Sequence, residues 1–541
     1  MSENPQNQFR PYYPIVLSLF LAAGVLLGIW LSNTGKASSP FRNNSEKINE
    51  IMSYVKSNYV DTVNRQQLTD AAIEGMLTDL DPHSQYIPAS DFTEVSDQLR
   101  GKFEGIGVQF RLIKDTIVII NTIPGGPSEK VGIQGGDRII KIEGKNVTGP
   151  KFTDKDVIKQ LKGPKGTKVK IEILRRGSPR LVPFTIIRDE IPTWSIDASY
   201  MIEKGIGYIK LSKFSATTTS EITLALDSLE KQGMNSLILD LRGNGGGYLN
   251  AAADLADEFL PDKAMVVYTK GRNRKKQVYQ ATSKGSFEKG NVAILIDESS
   301  ASASEIIAGA IQDNDRGTII GRRSFGKGLV QEQLDFKDGS AVRLTVARYY
   351  TPTGRCIQKP YNKGALDYNH ESMERFTNGE VEHPDSIKFA DSLKFKTPGG
   401  KIVYGGGGIM PDIYIPLKKD ADYVYLNKLI NAGLFNQWCF DYTDRERSRL
   451  KKFKDYRDFD RSFTITPALL EEFVNFAAKN AVPRDANGIA KNKEDIISTL
   501  KSLIARNLYD DHGFYPIYNK TDKTVLKAVE RIKANELSTK K

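Results

Sequence analysis

Cysteine and histidine are nearly absent. Two cysteines, Cys356 and Cys439, and four histidines, His83, His370, His383 and His512, are spread over 541 residues. Neither cysteine has metal-ligand spacing, and two thiols make no disulfide framework. The histidines show no zinc pattern, so neither a metal nor another cofactor is expected. The glycine-rich turns lack the Gly-Lys-Ser/Thr of a Walker loop and the spacing of a dinucleotide fingerprint. No basic cluster is interleaved with stacking aromatics, so the net charge of +11 predicts no nucleic-acid partner. The densest basic run, RERSRLKKFK from Arg445 to Lys454, reads as a solvated helix face. The apolar share of 39% and charged share of 26% exclude global disorder.

Long apolar runs are also missing, with one exception. Pro14 to Leu31 carries no charge and has about the length that spans a bilayer. No clear small-x-small site follows it, and no lipobox cysteine is present. An uncleaved anchor is expected over residues 1–35, with a cleaved signal as the alternative. Arg10 precedes the run, while Lys36, Arg42 and Lys47 follow it, so charge bias does not set its orientation.

The length predicts roughly three or four domains. Residues 36–100 open with a polar linker, SSPFRNNS, and then read as helical. Ile48, Ile51, Met52 and Val55 recur at helical spacing, and a second pattern from Leu68 to Leu80 stops at Asp81-Pro82. Residues 101–190 hold short β-branched runs, such as TIVIINTI and KVKIEILR, between glycine and proline turns. Residues 191–420 alternate strand-like runs with helical ones, the mark of β/α units around a buried sheet. Residues 421–541 read as helical, with stripes at Ile496, Ile497, Leu500, Leu503, Ile504 and Leu508 and at Val525, Ala528, Val529 and Ile532. The fold class expected is multidomain α/β with helical regions at both ends.

Chemistry concentrates in three short stretches. IDESSASASEIIAGAIQD, Ile296 to Asp313, sets its serines at a strand-to-helix turn. Such a turn presents free N–H groups, which serine caps satisfy or an oxyanion accepts. The stretch alone does not separate caps from a nucleophile. A nucleophile needs a base, and no histidine lies in a motif-like setting near this stretch. Lysine serves where burial lowers its pKa, and GRRSFGKGLVQ supplies Lys327 between Gly326 and Gly328, with Gln331 four residues on. The plain alternative is an exposed loop lysine. DLRGNGGGY, Asp240 to Tyr248, is a glycine turn after a strand, suited either to offering N–H groups to an anion or simply to turning.

Taken together the motifs carry a resemblance. GMLTDLDPHSQYI, FEGIGVQF, DLRGNGGG, ASASEIIAGAIQD, SFGKGLVQ and ARYYTPTGRCIQ occur in the order found in the C-terminal processing peptidases, or tail-specific proteases, from about Ser45 to Leu417. The resemblance implies that residues 101–190 are a PDZ domain, with Gly105, Ile106, Gly107 and Val108 in its carboxylate-binding loop. It implies that residues 191–420 are a crotonase-like protease core. It implies Ser302 as nucleophile, Lys327 as general base and Gln331 as the residue that orients the lysine. Ala303, Gly245 and Gly246 resemble the oxyanion-hole backbone. Asp313 matches a position of structural weight. His83, in LDPHS, reads as a turn residue, and Ser299, Ser300 and Ser304 as turn and capping residues. The partners implied are proteins with unstructured apolar C-termini and a membrane, outside the cytoplasm. The sequence leaves homo-oligomerisation open.

Two other readings compete. A PDZ module on an inactive protease fold could serve as a membrane-tethered adaptor, although an adaptor has no need of the full Ser302, Lys327 and Gln331 set. Ser324-Phe325-Gly326-Lys327 also fits the Ser-x-x-Lys of penicillin-binding enzymes. That motif sits on a helix, where Gly326 and Gly328 would each cost about 1 kcal/mol, and its partner motifs are absent.

Overall fold

The computed structural model describes residues 12–34, 42–113, 115–150, 152–383, 386–387, 389–417 and 420–539. Arg10, Lys36 and part of the polar linker lie outside them. The chain divides into two units, Met1–Met76 and Leu77–Lys541. The first unit holds the helices Tyr13–Thr34 and Arg42–Asn58 and most of Arg65–Thr78. Tyr13–Trp30 is long and apolar enough to cross a membrane, by length and composition, and its large side chains are exposed.

Within the second unit, a six-stranded antiparallel sheet runs in the order Val108–Ile113, Thr116–Thr122, Arg138–Ile142, Lys168–Leu174 and Val182–Ile187, with Lys145–Asn146 paired to Arg138–Ile142. The alternation in KVKIEIL sends Val169, Ile171 and Ile173 into the core and leaves the lysines outside. The helix Asp154–Leu161 closes this core with Val157 and Leu161, and a Thr153–Asp156 capping box fixes its start.

The central sheet runs Ile196–Glu203, Ile206–Leu211, Ser236–Asp240, Asn291–Ile296, Thr318–Gly321 and Ile413–Tyr414. The first pair is antiparallel and the rest are parallel. SLILD is buried at every residue, as expected of a parallel strand covered on both faces. Helices Thr218–Lys231, Leu249–Asp257 and Ala303–Asp313 cover one face. The other is covered by the last helix, Lys523–Thr539, through Val525, Ala528, Val529 and Ile532. That stripe, expected within a separate helical region, instead covers the central sheet.

A smaller antiparallel sheet lies beside it. Ala341–Tyr350 pairs with Gln85–Ile87, Met265–Lys270 and Leu329–Asp335. From Asp420 to Tyr518 helices build their own core around Phe435, Trp438, Phe459 and Phe473. The long helix Lys493–Tyr518 is broken at Tyr509 and Asp510, where Asp510 has φ 55°.

Candidate active site

The buried strand Asn291–Ile296 delivers the chain to a tight turn, and helix Ala303–Asp313 begins immediately after Ser302. Ser302 itself has φ 55° and ψ −111°. A residue with a Cβ enters that region at a cost of roughly 1–3 kcal/mol, so the surroundings must hold it. They do. Ser300 Oγ donates to the Leu241 carbonyl at 2.8 Å, and Ser304 Oγ to the Asn244 carbonyl at 2.9 Å. These serines therefore fasten the serine turn to the glycine loop. Neither caps the helix, as the sequence had suggested. Glu305 does that work, accepting from the Ser302 N–H at 2.8 Å.

The glycine loop sits against the same turn. A Cβ on Gly246, at φ 100°, would lie 2.8 Å from the Ala301 carbonyl oxygen, 2.9 Å from Ser302 Cβ and 3.0 Å from the Ala303 nitrogen. Only glycine allows that approach. The Gly246 N–H is already engaged by Asn244 Oδ1 at 2.9 Å. Among the described residues the N–H groups of Ala303 and Gly245 have no hydrogen-bond partner. In this arrangement those two are the available anion donors, and Gly246 supplies closeness.

Lys327 arrives on an irregular segment just before Leu329–Asp335. Glu305, fully buried, holds this segment as well. Its Oε1 accepts from Ser324 Oγ at 2.5 Å and from the Gly326 N–H at 2.7 Å, and its Oε2 accepts from the Lys327 N–H at 2.9 Å. Tyr349 Oη donates to the Lys327 carbonyl at 2.6 Å. One carboxylate thus ties the serine turn to the lysine loop through four donors. Sequence reasoning missed it, since a glutamate in the first turn of a helix is unremarkable.

The Lys327 amine points into a cleft of about 480 Å³ that Gly245, Ser302, Gln331, Arg343 and Tyr349 also line. It donates to Gln331 Oε1 at 3.2 Å. Gln331 in turn donates through Nε2 to the His83 carbonyl. Among the described residues no hydrogen bond joins Ser302 Oγ to the Lys327 amine. Burial, and then Arg343, pull the ammonium below its ordinary pKa, while Glu305 and Asp81 oppose. His83 falls to about 4, through burial and then Lys327. It is therefore neutral, with its ring against Tyr368 Oη at 2.8 Å. Burial raises Glu305 despite its four donors.

The description of peptidase family S41 matches residues 205–364, and that of the PDZ domain matches 105–185. Residues 31–90 match the N-terminal domain of the activating protease CtpB, and 425–510 match a family of unknown function. The carboxy-terminal processing protease CtpA of Bacillus subtilis (strain 168) is 34% identical over 358 residues, covering 65% of this chain and 76% of that protein. CtpB of the same organism is 35% identical over 357 residues, with coverage of 63% and 73%. The carboxyl-terminal-processing protease of Synechocystis sp. (strain ATCC 27184 / PCC 6803 / Kazusa) is 31% identical over 424 residues, with coverage of 74% and 96%. The chain belongs to the carboxy-terminal processing proteases.

In this processing protease the remaining expected positions are distributed as follows. Asp313 is wholly buried against Arg355 at 2.6 Å and accepts from Thr353 Oγ1 at 2.6 Å, away from the cleft. Gly105 closes the short strand Lys102–Gly105, Ile106 is 2% exposed within the PDZ core, and Val108 starts the edge strand. Gly107 takes φ 72° between them. The Ile106 carbonyl accepts from the Ser128 N–H at 3.1 Å and Ser128 Oγ at 2.7 Å. Among the described residues the N–H groups of Ile106 and Gly107 have no hydrogen-bond partner. Ser324, the serine of the Ser-x-x-Lys alternative, is fully buried, and its Oγ accepts from the Ile409 N–H at 2.6 Å while donating to Glu305.

Proposed function

We propose that this processing protease is a serine endopeptidase with Ser302 as nucleophile and Lys327 as general base, and that its PDZ domain reads the free C-terminus of protein substrates. The observation that carries the reading is the Lys327 amine. It is enclosed in the cleft that Ser302 lines, its hydrogen-bond partner is the neutral Gln331, and burial favours its uncharged form. A neutral amine takes the Ser302 proton as Oγ attacks the scissile carbonyl. The ammonium then returns that proton to the leaving amine. Water hydrolyses the acyl ester by the same route in reverse. Ala303, first in its helix, and Gly245 supply N–H groups to the developing oxyanion. Gln331, anchored on the His83 carbonyl, orients the amine without adding charge.

For the PDZ domain, the free N–H groups at Ile106 and Gly107 suit a terminal carboxylate, and the edge strand Val108–Ile113 suits an extended tail. Apolar, unstructured tails fit the surrounding Phe103, Phe110 and Ile106. The apolar helix Tyr13–Thr34 anchors the protease, with the catalytic unit outside the cytoplasm. Buried Ser324 argues against the penicillin-binding alternative.

The test is cleavage of one peptide with free and amidated C-termini by the intact protein and by Ser302→Ala and Lys327→Ala variants. Both variants should lose activity with their folds intact, and the free tail should be cut faster. More than a few per cent residual activity in Lys327→Ala overturns the base assignment. Equal cutting of both peptides overturns tail reading.

A further inference from the structure

The helices after residue 420 have no part in the chemistry above, yet they face the PDZ domain. The Asn121 side chain donates to Asp510, and Arg138 meets Asp444 at 3.6 Å. Between them lies a cavity of about 450 Å³. One wall is the edge strand, Gln109 to Ile113. The other includes Arg506, Asn507 and Asp510. Val108, Phe110 and Leu112 pack on the PDZ core. Strand alternation therefore directs Gln109 and Arg111 to the opposite, outer face, where the helices stand.

A tail that adds to this edge meets the same alternation. With its carboxylate at the Ile106–Gly107 N–H groups, its last residue lies beside Val108. Each step up the edge strand, about 3.4 Å, then meets one residue further from the terminus. Arg111 is three steps from Val108, so it faces the tail residue three before the last. Directly opposed residues share a face of the sheet. That side chain therefore enters the cavity.

The charges there are unequally satisfied. Arg506 pairs with Asp511 at 2.8 Å, and Asp510 accepts from Asn121. Among the described residues no carboxylate lies within salt-bridge distance of Arg111. Partial burial and then the like charge of Arg506 disfavour the Arg111 guanidinium cation. An anion brought alongside relieves both.

We propose that the helical region forms the outer wall of the tail-binding site, and that Arg111, backed by Arg506, selects tails with Asp or Glu three residues before the terminal one. This rests on the reading that the PDZ loop holds the terminal carboxylate. It adds a specificity-determining residue and gives the helical region a role in substrate choice.

The experiment measures binding of fluorescent ten-residue tails to the full chain carrying Ser302→Ala, in detergent. The tails differ only at the chosen position, as Glu, Ala or Lys, and each is made with a free and an amidated terminus. Glu should bind about tenfold more tightly than Lys. Arg111→Gln should flatten the series, Arg111→Glu should reverse it, and Arg506→Gln should narrow it. Equal binding of the three free tails, or an unreversed order in Arg111→Glu, overturns the proposal. If amidation costs nothing, the carboxylate reading itself falls. If amidation weakens binding but the series is flat, only the present proposal falls.

Discussion

Glu305→Gln tests whether one buried carboxylate assembles the site. The carboxylate accepts from the Ser302 N–H, the Ser324 hydroxyl and the Gly326 and Lys327 N–H groups. A glutamine keeps one acceptor oxygen. Its best orientation leaves that oxygen toward Ser302 and Lys327 and turns the amide toward Ser324 and Gly326. The Ser324 hydroxyl can rotate to accept, but the Gly326 N–H cannot. Two buried donors, the Gly326 N–H and the Ser324 O–H, then lose their acceptor, at about 1–3 kcal/mol each. Relief of a buried charge offsets part of this, because burial already pushes Glu305 upward. The net stability loss should therefore sit near the low end of that sum, about 2 kcal/mol.

Activity should suffer more than stability. The Gly326 contact fixes the loop that carries Lys327, and a displacement of about 1 Å at a reacting group costs about 100-fold. Denaturant midpoints and kcat on a free-tailed peptide read the two effects separately. Glu305→Ala, which orphans all four donors, should be worse on both. Wild-type kcat in Glu305→Gln, with Glu305→Ala losing only stability, would refute the idea that this carboxylate positions the pair.

Arg343 pushes the Lys327 ammonium toward its neutral form. Its replacement in Arg343→Gln should raise that pKa and move the acid limb of kcat/KM to higher pH, and an unmoved limb counts against Lys327 as base. Gly246→Ala places a Cβ within 3.0 Å of Ser302 and Ala303 at φ 100°, so it should cut kcat by at least about 100-fold and lower the melting temperature. A fully active Gly246→Ala would show that the glycine loop does not need this approach.

The parts legible in the sequence are those with local signatures. The buried strands SLILD and NVAILI and the helix after the serine turn follow from runs of a few residues. Ser302, Lys327 and Gln331, which line one cleft, each lie in a short, ordered motif. What was missed depends on distant chain segments. Glu305 gathers donors from 302, 324, 326 and 327, and no local pattern announces that. The carbonyl that holds Gln331 belongs to His83, 248 residues away, and a backbone group leaves no mark on residue identity. The stripe at Val525 to Ile532 was visible, but a stripe says which face is buried and not what covers it. Helix Ala365–Thr377 went unread, because its buried side chains, Tyr368 and Arg375, are a polar-tipped ring and a charge.

The choice of glutamine at 331 follows from the charge the site must avoid. Lys327, the proposed base, can act only when neutral; burial and Arg343 lower its pKa, while Glu305 and Asp81 raise it. Glu305 limits its own effect by turning both oxygens to backbone N–H groups and a hydroxyl instead of to the amine. Gln331 touches the amine directly, at 3.2 Å, and contributes an oxygen without a charge. Gln331→Glu preserves the shape and adds the charge. A carboxylate at that distance raises the pKa of its cationic partner by roughly 1–3 units, so the neutral fraction of Lys327 at pH 7 falls by about 10- to 1000-fold. Activity at neutral pH should fall accordingly and recover about tenfold for each pH unit upward until the lysine is neutral. Gln331→Ala removes only the orienting contact and should lose activity evenly at all pH values. The measurement is a pH profile of kcat/KM for the two variants beside the parent. A Gln331→Glu variant with the parent's profile would mean that the Lys327 proton does not govern the rate.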